Sequence, residues 1–279
     1  MKRLILGLLL FVGFSASSQN WALNGFKKAD AVNPILKPSV EARFVDPVSG
    51  KMVGWENKNV LNPTALIRNG IVHLLYRAQD SLGTSRIGLA TSTDGIHFKK
   101  NPEPILFPSN DAFRGFEWPG GIEDPRIVET SDGGYFLTYT SYDGKVARLC
   151  GAFSKDLQTW EKIGPLFTSE KYLNTWSKSG ALVSVQQGSR LVAHQMNGLY
   201  YMYFGDTDLF LATSKDLRHW DILENAESGF ATASGMSAVF GSFMALLKKG
   251  DHLLSCNAVL TGAAAGCDTL VRFLFLGPD

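Results

Sequence analysis

The run Gly121-Ile122-Glu123-Asp124-Pro125-Arg126 sets two carboxyl groups side by side, with a guanidinium two residues on. A carboxylic acid held next to other charges suits proton transfer. A turn closed by a local ion pair is the plainer account of the same residues. Arg77 ends an apolar run, with Asp80 nearby. It reads either as a clamp for a polar ligand or as a strand-end side chain that lies along apolar surface and reaches water with its head. Trp118 offers a flat ring for stacking, or packs between sheets. The five histidines are scattered, and no Ser-His-Asp arrangement can be drawn. No cluster has metal-ligand spacing. No glycine-rich phosphate loop opens a helix.

The elements that must position these groups repeat at a step of about sixty residues. A Ser-x-Asp turn followed by an aromatic occurs as Ser92-Thr93-Asp94 with Phe98, Ser154-Lys155-Asp156 with Trp160, and Ser214-Lys215-Asp216 with Trp220. Because Asp94, Asp156 and Asp216 recur in every unit, they read as turn residues. Asn69-Gly70, Asp132-Gly133 and Asn197-Gly198 are tight-turn dipeptides in the same phase. Each leads into a strand-like run rich in aromatic and aliphatic residues. Trp55, Trp118 and Trp176 form a third echo. Each unit therefore reads as four short antiparallel strands, the blade of a β-propeller. Blades around an axis bring equivalent segments together. Those segments begin near Asn62-Pro63, Asp124-Pro125 and Ser179-Gly180, which puts Asp124 at an axis-facing position.

The chain has 279 residues and a formal net charge of +1, which gives no reason to expect nucleic acid or an acidic membrane surface. Lys2 and Arg3, the apolar stretch Leu4 to Phe14 and the small residues Ala16-Ser17-Ser18 read as an export signal over 1–18, removed before Gln19. Residues 19–228 hold the blades. Residues 229–279 are rich in Ala and Gly, lack Tyr and Trp, and contain no fourth Ser-x-Asp turn. They read as a divergent fourth blade or as frame-disrupted sequence. Three cysteines, Cys150, Cys256 and Cys267, do not make a disulfide framework.

These residues resemble glycoside hydrolase family 130, the mannoside phosphorylases and β-mannosidases. The resemblance runs from about Asn33 to Leu223. It is carried by Asn33-Pro34-Ile35-Leu36, Trp55-Glu56 with Asn62-Pro63, Leu75-Tyr76-Arg77-Ala78, the Gly120 to Ile127 run, Lys178-Ser179-Gly180-Ala181 and Tyr201 to Asp206. It implies an all-β fold of the five-bladed propeller family, here incomplete, with about three clear blades and the divergent tail. It implies that Asp124 is the proton donor, acting through a hydroxyl of bound mannose. Asn62 and Arg77 match sugar-holding positions, joined in this reading by Asp80, Trp118 and Arg126. Arg148 and Lys178 resemble phosphate contacts. Asp206 stands where phosphorylases carry a His-Arg pair. A carboxylate there disfavours phosphate and is the candidate base, with Asp208 second; a solvated loop acid is the alternative for both. For inversion by water the acid and base lie roughly 6.5–9.5 Å apart. The expectation is an exported β-mannosidase, periplasmic or extracellular, acting on an oligosaccharide and needing no metal or organic cofactor. A mannoside phosphorylase using inorganic phosphate and a non-catalytic sugar-binding propeller are the alternatives. No nucleic acid, and no membrane after signal cleavage, is expected as a partner.

Overall fold

The computed structural model describes residues 30–206 and 209–223, and the backbone of two short strands, Ala258–Thr261 and Asp268–Val271, which pair antiparallel. The export segment 1–18, Asp208, Cys256, Cys267 and the rest of 229–279 lie outside the described residues.

Among the described residues strands dominate, and the two helices, Arg114–Glu117 and Glu170–Leu173, are single turns. The sixty-residue step appears as three antiparallel four-stranded sheets. The first runs through Asn59–Arg68, Ile71–Gln79, Ser85–Ser92 and Lys99–Lys100. The second runs through Gly121–Glu129, Tyr135–Tyr142, Ala147–Ser154 and Glu161–Pro165. The third runs through Ala181–Leu182, Leu199–Gly205, Leu209–Ser214 and Asp221–Ile222. The described residues form no closed ring, so the blade count of the five-bladed family is not shown.

The sheets stack face to face because their strands are apolar on both sides. A strand's side chains alternate between faces. In Tyr135–Tyr142, Tyr135, Leu137 and Tyr139 enter the core shared with the first sheet, through Leu75, Ile87 and Leu89. Phe136, between them, enters the core shared with the third sheet, through Leu182, Met202 and Phe204. On its other face the first sheet packs Tyr76, Ala78 and Ala90 against Phe44 and Trp55.

The repeated turns are nearly identical. In each, the serine Oγ accepts from a backbone N–H three residues on: Gly95, Leu157 and Leu217, all at 2.9 Å. The aspartate Oδ1 accepts from the N–H of His97, Thr159 or His219, at 2.7–2.9 Å. Asp94, Asp156 and Asp216 are therefore turn-formers, as read from their recurrence. Asn69-Gly70 and Asn197-Gly198 are two-residue hairpins with both residues at positive φ. Asp132-Gly133 departs from this. It sits in a wider turn in which Thr130 N–H donates to Gly134 O at 2.8 Å.

The tryptophan echo is a false register. The equivalent residues are the neighbours Glu56 and Glu117. Each is buried, accepts from a tyrosine hydroxyl on the second strand of its sheet and meets a lysine from the fourth: Tyr76 and Lys100 for Glu56, Tyr139 and Lys162 for Glu117. Trp55 precedes its glutamate and is fully buried, whereas Trp118 follows its own and is half-exposed. Trp176 is 46% exposed. The third sheet replaces tyrosine and lysine by Phe204 and Ile222 at the matching strand positions.

The third sheet also carries an insertion. A hairpin, Ser184–Gln187 with Arg190–Ala193, interrupts it and reaches the inner strand of the second sheet. There Arg190 Nε donates to Glu129 Oε2 at 2.6 Å.

Burial pushes the Glu117 carboxyl up to about 7, against the pull of Lys162. A carboxyl raised on folding stabilises fully below its unfolded pKa, and that contribution is lost as pH rises through the folded value. Wild-type stability is therefore expected to fall between about pH 4.5 and 7 relative to Glu117→Gln. Urea denaturation across that range checks this; parallel pH profiles would contradict it.

Candidate active site in the bulges of the inner strands

Each inner strand breaks its ladder at one place. The register shifts between Leu61 and Thr64 in the first sheet and between Glu123 and Arg126 in the second. The residues at the breaks, Asn62 and Asp124, have φ of 47° and 50°, and Ser179, leading into the third sheet, has φ of 61°. The left-handed region disfavours most side chains. Proline at 63 and 125 cannot donate to a ladder, which suits a bulge. The kink turns the Asn62 and Asp124 side chains toward each other, and Asn62 Nδ2 donates to Asp124 Oδ1 at 2.7 Å. Asp124 thus lies at a contact between adjacent sheets.

Arg77, on the second strand of the first sheet, completes the clamp. Its Nη1 donates to the same Asp124 Oδ1 at 3.1 Å, and its Nη2 to Glu123 Oε1 at 2.5 Å. Its Nε donates to Ser85 Oγ at 3.0 Å, and that hydroxyl donates to Glu123 Oε1 at 3.2 Å. Every nitrogen of the guanidinium is engaged, so its orientation is fixed. Asp124 Oδ2 takes no hydrogen bond from a described residue, and 29% of the side chain is exposed. One oxygen is anchored and the other is available to a ligand. Burial raises the Glu123 carboxyl above the usual range, with Asp124 adding to the rise and Arg77 and Lys178 opposing it.

Ser85 and Glu123 were not singled out as site residues from sequence. Glu123 stood inside the motif, but nothing in its type separated it from a turn acid. Ser85 is fixed by pairing: its strand meets the second sheet in parallel at Gly121. Gly121 has φ of 103°, and a Cβ there would strike the Ser85 backbone. Only glycine allows the two sheets to approach this closely at the site.

Lys178 and Asp206 are brought together, with Nζ and Oδ1 2.7 Å apart and each side chain about one-third exposed. The Gly205 N–H donates to Lys178 O at 2.9 Å and sets the two residues side by side. Arg126 lies just past the bulge, paired across the ladder with Thr138. Trp118 is half-buried on the segment that enters the same strand.

Asp80 and Arg148, expected at the ligand, are placed elsewhere. Asp80 is 4% exposed; its Oδ1 accepts from the N–H groups of Leu82 and Thr84, and its Oδ2 from Arg86 Nη1 at 2.8 Å. Arg148 repeats this one sheet later. Its Nη1 donates to Asp143 Oδ2 at 2.7 Å, and Asp143 Oδ1 accepts from the N–H groups of Lys145 and Val146. Its remaining nitrogens bond Leu173 O and Asn174 Oδ1. Asp80–Arg86 and Asp143–Arg148 are one framing device used twice, so Asp80 and Arg148 hold their sheets together. Asp206 also follows the second strand of its sheet, but that hairpin is shorter. Counted from the Ser-x-Asp turns, Phe210 matches Gly88 and Cys150, and the position of Arg86 and Arg148 falls on Asp208, outside the described residues. Asp206 pairs with Lys178 instead.

With this arrangement in view, the chain belongs to glycoside hydrolase family 130. The family's sequence profile, described as β-1,4-mannooligosaccharide phosphorylase, matches residues 27–233. A 1,2-β-oligomannan phosphorylase from Thermoanaerobacter is 32% identical over 67% of this chain and 56% of its own length. The chain thus spans about half the length of that relative. A solved glycosyl hydrolase from Bacteroides ovatus superimposes with a TM-score of 0.70 at 40% identity, over 74% of this chain and 60% of that one. A further structure, reported with family members that hydrolyse β-1,2-mannosidic linkages in Candida mannan, gives a TM-score of 0.71 at 39% identity, over 75% and 60%. A second profile, a Cys/Met metabolism PLP-dependent enzyme, matches residues 213–275. The described part of that stretch, 213–223, forms the last Ser-x-Asp turn and the edge of the third sheet.

Asp80→Asn removes one partner of a buried ion pair and is expected to lower the unfolding free energy by about 3–5 kcal/mol. The half-buried Asp124→Asn is expected to cost about 1 kcal/mol or less. Denaturation of both variants tests the division between frame and site; equal losses would erase it.

Proposed function

We propose that the protein is an exported glycosidase that hydrolyses β-mannosides, with Asp124 as proton donor. The observation that carries this is the two-sided anchoring of Asp124 Oδ1 by Asn62 and Arg77, which leaves Oδ2 toward a ligand. Cleavage needs a proton delivered to the leaving oxygen, directly or through a sugar hydroxyl. An acid fixed on one oxygen and open on the other is suited to either route. Arg77 and Asn62 hold the donor in place, and Glu123 and Ser85 hold Arg77. Arg126, on the strand that carries Asp124, and Trp118, on the segment that enters it, complete the proposed sugar site.

Hydrolysis is favoured over phosphorolysis by the state of the cations. Phosphate binding calls for arginine or lysine with unused donors. Arg148 spends its guanidinium inside the second sheet, and Lys178 is neutralised by Asp206. Asp206, partly exposed beside Lys178, is the proposed base that orients water. The phosphorolytic reading is supported by the named activities of the curated relatives, two of them phosphorylases from Thermoanaerobacter. Export rests on the signal-like segment 1–18 and places the activity in the periplasm or outside the cell.

Incubation with β-mannooligosaccharides, with and without inorganic phosphate, separates the readings: free mannose marks hydrolysis, mannose 1-phosphate marks phosphorolysis. Asp124→Asn is expected to lower turnover at least about a hundredfold with the fold retained. Full activity in that variant would remove Asp124 from its role. Sugar binding with no turnover in wild type would favour a binding module. Asp206→Asn is expected to slow hydrolysis and to make phosphate a better acceptor by freeing Lys178. Unchanged product ratios would show that Asp206 does not set the choice of acceptor.

A further inference from the structure

We propose that the Ser179 hydroxyl is an additional ligand-holding group, placed to bind a sugar hydroxyl on the third-sheet side of Asp124. This rests on the reading that Asp124 acts on a bound sugar, and goes beyond it by assigning a residue and a contact.

The first observation is the repeat itself. Asn62, Asp124 and Ser179 occupy the same place in three successive sheets and share the same left-handed backbone, with φ of 47°, 50° and 61°. Asn and Asp tolerate this region because their side chains bond locally; serine has a much weaker claim to it. Glycine would satisfy the backbone without strain. A hydroxyl-bearing residue therefore occupies a position where the backbone alone asks for glycine.

The second observation is how firmly this bulge is held. Gly180 follows it, where the other bulges have Pro63 and Pro125. A Cβ on Gly180 would lie 2.8 Å from Leu149 Cδ2 and 3.0 Å from Met202 Sδ. Thr138 Oγ1, on the second sheet, donates to Gly180 O at 2.8 Å. On the other side of Ser179, the Gly205 N–H fixes the Lys178 carbonyl. The third bulge is pinned against the sheet that carries Asp124.

The third observation is what the side chains reach. Asn62 is long enough to bond Asp124 across the gap between sheets. Serine is one atom shorter, and among the described residues its hydroxyl has no partner. Asp124 Oδ2 has none either. Two half-exposed oxygen groups on adjacent bulges are thus left for a ligand. Asp124 accepts from, or gives a proton to, one hydroxyl of a pyranose; Ser179 donates to or accepts from its neighbour. A neutral polyol with vicinal hydroxyls fits this pair.

The test compares Ser179→Gly, which removes the hydroxyl and relieves the backbone, with Ser179→Ala, which removes the hydroxyl and keeps a Cβ at the same left-handed backbone. β-1,2-Mannobiose affinity is read by calorimetry and stability by urea denaturation. Both variants are expected to bind about three- to ten-fold more weakly, the loss of one hydrogen bond. Ser179→Ala is expected to match wild type in stability, and Ser179→Gly to match or exceed it by relieving the left-handed strain. Glycine binding as tightly as wild type would overturn the proposal and leave Ser179 a purely structural residue. Asn62→Ala serves as the reference. If it weakens binding and Ser179→Gly does not, only the Ser179 assignment fails. If Asn62→Ala also binds like wild type, or wild type binds no mannobiose, the reading of the whole site fails and this proposal with it.

Discussion

A side chain held at positive φ is strained by about 1 kcal/mol or more unless it is glycine or can bond its own backbone. This protein places such a residue at the equivalent point of three inner strands. The kink lifts Asn62 and Asp124 out of their ladders and aims them across the gap between sheets. Without it both side chains would follow the pleat into the stacked faces, where Leu75, Leu89 and Leu137 already fill the space. The bulge therefore makes room for polar chemistry in a molecule whose sheets are otherwise packed on both faces. Arg77 then converts that room into a site. One planar guanidinium joins both carboxylates and Ser85, and a fork of this kind has a single orientation once all three of its nitrogens are engaged. Glycine at 121 lets the sheets approach closely enough for the fork to span them.

The internal repeat acts as its own control for separating frame from function. The glutamate–tyrosine–lysine cluster occurs in the first and second sheets with the same partners, and so does the aspartate–arginine pair beside it. What recurs with identical bonding serves the sheet. The third sheet departs at the first place: Phe204 and Ile222 replace the tyrosine and the lysine. That change trades a buried ion pair for apolar packing, often neutral or favourable for stability. On the same sheet Asp206, at the position of Ala78 and Ser141 in the other two, pairs with Lys178.

Much of the architecture was legible because turn chemistry is local. Ser-x-Asp and Asn-Gly act through their own backbone within three residues, so their spacing revealed the sheets and put Asp124 on an inner strand. Groups defined by pairing between sheets were less legible. Ser85 owes its place to the parallel contact at Gly121, and Glu123 owes its role to burial beneath Arg77; neither carries a local signature. Asp80 and Arg148 looked like ligand residues because charge near a strand end suits binding as well as framing. Alignment of the two sheets settles the matter, since both make the same bonds one repeat apart. The tryptophan spacing misled because a bulky ring can pack from either side of its neighbour, and Trp55 and Trp118 flank their glutamates on opposite sides. The inserted hairpin Ser184–Ala193 was missed because it breaks the step without any turn dipeptide of the repeated kind.

A crystal structure with mannose bound tests the central claim most directly. The account places the sugar against the inner-strand bulges, with one hydroxyl within hydrogen-bond distance of Asp124 Oδ2 and Arg77 still bridging Glu123 and Asp124. A sugar seated on an outer strand, or an Asp124 side chain turned away from it, would contradict the account.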